Sequence, residues 1–217
     1  MTLIKICGLR QWDTVQWLAQ ARVPYGGFVF APSKRRVQPE DAQAWMAAVV
    51  PCATQFVGVV GACNVDALDA LLRAAPLLHA VQFHGPPDPT LHAFAYTNYP
   101  HIQRWQAISY DGYAYTKLDA CPSFDVLLLD APRAGSGIPF DWSVIPQVRA
   151  WTRVRGCRLF VAGGLDADNV GQLVSAYDID GVDVSSGIER DGKQCTARIA
   201  AFVDAATKQP RTRGERT

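Results

Sequence analysis

The sequence predicts an α/β fold, a single-domain (β/α)8 barrel of the TIM type with eight parallel strands. Three observations point to it. Short apolar runs recur eight times along the 217 residues, longer amphipathic stretches lie between them, and ionisable or small residues stand where the runs end. Several runs lack the polar alternation of a half-exposed sheet, as expected for strands buried on both faces. An open doubly wound sheet usually has fewer strands and a dinucleotide fingerprint, and neither Gly-x-Gly-x-x-Gly nor a P-loop sequence occurs here.

The strands are expected at Leu3 to Cys7, Gly27 to Phe30, Gln55 to Val60, Ala80 to His84, Ile102 to Ile108, Val126 to Asp130, Leu159 to Ala162 and Val182 to Val184. The clearest helices are Trp12 to Ala21, Glu40 to Val50, Val65 to Ala75, Asp168 to Ala176 and Thr196 to Thr207; those after strands four, five and six are weakly marked. Helix starts carry their own chemistry. Asn64 precedes the third helix, Asp166 or Asp168 opens the seventh, and Pro39 with Glu40 and Asp41 suits a first turn.

Composition narrows the function. With 49% hydrophobic and 19% charged residues the chain can bury a full core. A net charge of +1 with scattered basic residues argues against nucleic acid or an anionic membrane as partner. The catalytic domain is expected over residues 1–208. The basic excess at 209–217, interrupted by Pro210 and Gly214, reads as a frayed tail. Six well-separated cysteines form no zinc or dithiol pattern and imply a reducing compartment; no export signal or membrane span is legible, so a cytoplasmic location is expected. A monomer is expected, with a homodimer as the alternative.

Active sites of such barrels occupy the C-terminal ends of the strands. Cys7 ends the first strand, His84 the fourth and Asp130 the sixth; Gly163-Gly164 follow the seventh and Ser185-Ser186-Gly187 the eighth. The last two loops suit an anion, because small residues let backbone N–H groups approach a phosphate. The alternative is that these glycines only serve tight turns. Cys7 is either an inert core thiol or a base made partly thiolate by nearby cations. Asp130 ends Val126-Leu127-Leu128-Leu129, so desolvation is expected to raise its pKa and suit it as a general acid, unless it merely caps a turn. His84 could hydrogen-bond a carboxylate. Arg35, in Ser33-Lys34-Arg35-Arg36, offers a cation to a carboxylate or phosphate or is simply solvated.

The ordered set Lys5-Ile6-Cys7-Gly8-Leu9, Gly27-Phe28-Val29-Phe30, Ser33-Lys34-Arg35, Val57-Gly58-Val59, Val81-Gln82-Phe83-His84-Gly85, Leu127-Leu128-Leu129-Asp130, Gly135-Ser136-Gly137 with Phe140-Asp141-Trp142, Gly163-Gly164-Leu165 and Val182-Asp183-Val184-Ser185-Ser186-Gly187 resembles the phosphoribosylanthranilate isomerases of tryptophan biosynthesis. The resemblance implies an Amadori rearrangement of a small phosphorylated aminosugar without metal or organic cofactor. Cys7 matches the family's base and Asp130 its acid. Arg35 matches an arginine near the anthranilate carboxylate, His84 lies in the matched His-Gly loop, and Gly163, Gly164, Ser185 and Ser186 match the phosphate site. Asp183 would contact sugar hydroxyls. Arg10, Ala62, Gln106 and Ala162 depart from the family's usual residues and bear on substrate affinity, while Gly135-Ser136-Gly137 would be a flexible element over the site. A phosphosugar-binding paralogue without turnover, or another sugar-phosphate barrel isomerase, are the alternatives.

Overall fold

The computed structural model describes residues 1–109, 118–119, 121, 123–131 and 141–208. The expected flexible element Gly135-Ser136-Gly137 and the tail at 209–217 lie outside the described residues.

Eight strands close into a barrel in sequence order. They are β1 (Leu3–Cys7), β2 (Tyr25–Val29), β3 (Gln55–Val60), β4 (Ala80–His84), β5 (Gln103–Ser109), β6 (Val126–Asp130), β7 (Arg158–Val161) and β8 (Gly181–Val184). Every neighbouring pair is parallel, and β8 closes on β1 with Lys5 opposite Asp183. Around the barrel, among the described residues, run α1 (Trp12–Gln20), α2 (Pro39–Val49), α3 (Val65–Ala74), α4 (Pro89–Asn98), α5 (Ile145–Arg155), α6 (Val170–Ala176) and α7 (Thr196–Thr207). None is long and apolar enough to cross a membrane.

The strands read as continuous apolar runs because both faces are buried. Ile4, Ile6, Phe28, Leu127 and Leu129 point outward into one core shared with the helices. Tyr25, Trp105, Leu128 and Phe160 point inward into a second. The three inward aromatic rings meet with centroids 4.8 to 5.9 Å apart and floor the barrel below the strand ends. Gly181 makes room for this floor, since an added Cβ there would collide with the Phe160 ring.

Expected boundaries shift by one to two residues for stated reasons. β2 begins at Tyr25 because Gly26 and Gly27, poor strand formers by propensity, sit where bulk is excluded: a Cβ on Gly26 would stand 2.8 Å from Leu9. The helix expected from Asp168 starts at Val170, because the Asp166 carboxylate accepts the N–H groups of Asp168 and Asn169 and holds a turn ahead of it. Asn64 caps α3 as expected, accepting from Ala67 N–H at 2.9 Å. Of the three weakly marked helices, those after β4 and β6 form as α4 and α5, each with Pro in the first turn, and the one expected after β5 falls largely outside the described residues; α5 ends on Gly156 in the left-handed region. A short antiparallel hairpin, β9 (Glu189–Arg190) with β10 (Lys193–Gln194), turns through Asp191 and Gly192, both at positive φ.

Candidate active site

All nine residues singled out from the sequence line one cavity of about 330 Å³ at the C-terminal mouth of the barrel: Cys7, Arg35, His84, Asp130, Gly163, Gly164, Asp183, Ser185 and Ser186. Strand periodicity explains the convergence. Cys7, His84 and Asp130 are the last residues of β1, β4 and β6, two positions beyond Lys5, Gln82 and Leu128, so each points inward.

Carboxyl groups and cations meet at the mouth. Burial raises the pKa of Asp130, and the Ala131 N–H, which donates to its Oδ1 at 2.8 Å, together with His84 and Lys5 offsets this only in part. This is the shift expected of a general acid. Burial also pushes the Cys7 thiol up; the Lys5 ammonium opposes it, and the Asp183 carboxylate adds to it. Cys7 therefore differs from the partly ionised thiol expected from nearby cations. Its sulfur is deeper, and an acid shares its cation. Asp183 is raised by burial against the pull of Lys5, with Asp130 adding to the rise.

Gly163 and Gly164 both adopt positive φ, +87° and +65°. A Cβ on Gly163 would stand 2.5 Å from the Ala131 Cβ, 2.6 Å from its N and 2.9 Å from Asp130 Oδ1, so only glycine lets the loop after β7 pass the acid. A Cβ on Gly187 would collide with the Leu165 carbonyl, which brings the loops after β7 and β8 together. Asn169 donates to the Gly164 carbonyl at 2.8 Å and accepts from Asp166 N–H, fixing the first of these loops. Two adjoining backbone turns rich in small residues form a cradle suited to a phosphate.

Three residues of the mouth were not singled out from the sequence. Lys5 is fully buried and donates to Asp183 Oδ1 at 3.0 Å. Gln82 is buried on β4 and lines the cavity, and its carboxamide oxygen has no partner among the described residues, leaving an acceptor for a ligand hydroxyl. Glu189 takes a bidentate pair from Arg35, Nε to Oε1 at 2.8 Å and Nη2 to Oε2 at 3.0 Å, and Arg10 lies 3.6 Å away. Arg35 thus reaches the cavity with its guanidinium already engaged. Strand alternation marks Lys5 and Gln82, each two residues before a chosen site; no sequence signal marks Glu189.

The chain matches the family described as N-(5'-phosphoribosyl)anthranilate isomerase over residues 4–205. The chain belongs to this family. A phosphoribosylanthranilate isomerase from Geobacillus thermodenitrificans is 35% identical, covering 96% of this chain and 95% of the relative. One from Streptococcus pneumoniae serotype 19F is 38% identical, covering 94% and 95%. A crystal structure of a phosphoribosylanthranilate isomerase with reduced 1-(o-carboxyphenylamino)-1-deoxyribulose 5-phosphate superposes with a TM-score of 0.77 at 28% identity, covering 95% and 98%. Of the four positions that the resemblance marks as departures, Ala162 lines the cavity and Arg10 braces the Lys34 carbonyl at its rim. Ala62 lies in a separate groove beside α3. Gln106 faces α4, where its amide bonds His92 Nε2 at 2.9 Å and the Gly85 carbonyl at 3.0 Å, so it supports the turn after His84 from outside the cavity.

Proposed function

We propose that residues 1–208, as one cytoplasmic catalytic domain acting as a monomer, convert N-(5'-phosphoribosyl)anthranilate into 1-(o-carboxyphenylamino)-1-deoxyribulose 5-phosphate in tryptophan biosynthesis. The observation that carries this is a thiol and a desolvated carboxyl group lining the same small cavity beside a two-loop anion cradle. The phosphate sits against Gly163, Gly164, Ser185 and Ser186, which fixes the ribose between Cys7 and Asp130. Asp130 protonates the ring oxygen as the C1–O bond breaks, giving an open-chain Schiff base protonated on nitrogen. Its positive charge acidifies the C2 proton, which Cys7 removes, and the C2–H electron pair flows to nitrogen as an enolamine. Tautomerisation to the ketone returns a proton to C1. The developing cation also favours the thiolate, which offsets the upward pull of burial on Cys7 at the moment the base is needed.

The anthranilate carboxylate falls to Arg35, which then exchanges Glu189 for substrate while Arg10 retains the glutamate. Gln82 and Asp183 are placed for sugar hydroxyls. The test follows the fluorescence of phosphoribosylanthranilate with wild type, Cys7→Ser and Asp130→Asn. Wild-type turnover with losses of about 10²–10⁴ in each variant is expected for removal of a general base or acid. No turnover by wild type overturns the function, full turnover in either variant overturns that residue's role, and light scattering checks the monomer.

A further inference from the structure

A fully buried ammonium is an expensive feature, because its hydration must be replaced by protein groups. Lys5 has no solvent exposure and stands above the aromatic floor, 6.0 Å from the Trp105 centroid. The barrel supplies it with two partners. Asp183 lies directly across the β1–β8 seam and accepts at 3.0 Å, and the Cys7 sulfur, two residues along the same strand, stands beside the ammonium on the same inward face. Gly27, opposite Cys7 on β2, keeps this contact open: a Cβ there would stand 3.1 Å from Cys7 Sγ and 3.2 Å from Lys5 Nζ. A side chain at position 27 would press on both the sulfur and the end of the lysine, so the bare Cα leaves room for the two together.

We infer that Lys5, anchored by Asp183, is the positioning residue that supplies the counter-charge for the Cys7 thiolate, one ammonium shared between a carboxylate and a sulfur. The inference rests on Cys7 as the base of the proposed reaction. Other charged or titratable groups face the pair from β6, Asp130, and from β4, His84; Arg35 approaches Gly8 from the loop after β2, and β2 itself contributes Gly27, Val29 and the inward Tyr25, whose hydroxyl accepts from Arg158 Nη1 at 2.9 Å. Among these groups Lys5 is the cation whose charge acts on the sulfur. Asp183 keeps the nitrogen protonated, so that the proton removed from substrate remains on sulfur instead of passing to a neutral amine.

The test reads Cys7 directly and needs no substrate. Iodoacetamide alkylation of the Cys7 peptide, followed by mass spectrometry over a pH series, is compared in wild type, Lys5→Met and Lys5→Arg. Loss of the charge in Lys5→Met is expected to move the midpoint up by about one pH unit, roughly tenfold slower alkylation below it, with Lys5→Arg closer to wild type. A midpoint that stays or falls in folded Lys5→Met overturns the inference. Should Lys5→Met not fold, wild type labelled with ¹³C at lysine Cε answers the same question: the Lys5 resonance should step at the Cys7 midpoint and lose that step in Cys7→Ser. A Lys5 resonance indifferent to Cys7 overturns it. Neither readout depends on turnover of phosphoribosylanthranilate, so failure here and failure of the functional reading are separate results.

Discussion

Asp130 illustrates the conflict between stability and chemistry at one residue. Its folded pKa is raised above the unfolded value of about 3.9, so its contribution to stability is fully present below that pH and is lost as pH rises through the folded value. At neutral pH the charged carboxylate therefore destabilises the fold. Asp130→Asn, which never ionises, should melt a few degrees higher at pH 7, at about 2–4 °C per kcal/mol for a domain of this size, while losing turnover. The gain should vanish near pH 3, and a lower midpoint at pH 7 would contradict the sign. The rate has a matching pH dependence. The reaction needs Asp130 protonated and Cys7 ionised, yet both pKa values are raised and the thiol remains the weaker acid. The acidic limb of kcat/KM then belongs to the carboxyl and the alkaline limb to the thiol. In Asp130→Asn the acidic limb should give way to activity climbing about tenfold per pH unit to the thiol midpoint; an unchanged acidic limb would assign it elsewhere. Cys7, His84 and Asp130 were legible because each closes an apolar run. Strand alternation put Lys5 on the same face, but its pairing was hidden, since Asp183, 178 residues away, becomes its neighbour only when β8 pairs with β1.

At the scale of elements, the loop after β7 shows how backbone conformation sets chemistry. Gly163 and Gly156 both have positive φ, but nothing lies within 4 Å of a Cβ on Gly156, whereas one on Gly163 would press on Ala131 and Asp130. Gly156→Ala should cost about 1 kcal/mol of stability in urea melts and leave kcat unchanged, the cost of a left-handed residue alone. Gly163→Ala should cost more, and should also lower kcat by about tenfold or more because it displaces both the acid and the N–H that holds it. Equal kinetics in the two variants would rule out the contact. The strands and the five strongly marked helices could be read because burial imposes their pattern. α4 was obscure because its buried side includes His92, which is paired to Gln106 on β5, and polarity there mimics exposure. The β9–β10 hairpin carried the Asp191-Gly192 turn signal, but its strands of two residues each are too short to show alternation. Glu189 at its start was hidden for the same reason.

For the molecule as a whole, closure of the barrel is weakest where the anion cradle is built. β7 and β8 have four residues each and share only the pairs Phe160 with Gly181 and Val161 with Val182, while β2 and β3 match along the full length of β2. A polar clamp reinforces this seam from below. Asp180 accepts from Leu159 N–H at 2.8 Å and from Arg149 Nη1 at 2.6 Å, and its own N–H donates to the Leu159 carbonyl at 2.9 Å. Arg149 also holds Asp178 at 3.0 Å, tying α5 to the segment before β8. Both loops of the cradle leave the far end of the two strands, so a seam that slips changes the spacing between Gly164 and Ser186. Asp180→Ala removes charge-assisted bonds from a largely buried position and should cost about 1.5–3 kcal/mol, read from denaturant melts. In the surviving folded enzyme KM for the phosphorylated substrate should rise several-fold, with kcat changed less, because Cys7 and Asp130 stand on β1 and β6 outside the seam. A loss of stability with KM unchanged would mean that the clamp closes the barrel without setting the cradle. A fall in kcat at constant KM would place the strain at the acid and base instead.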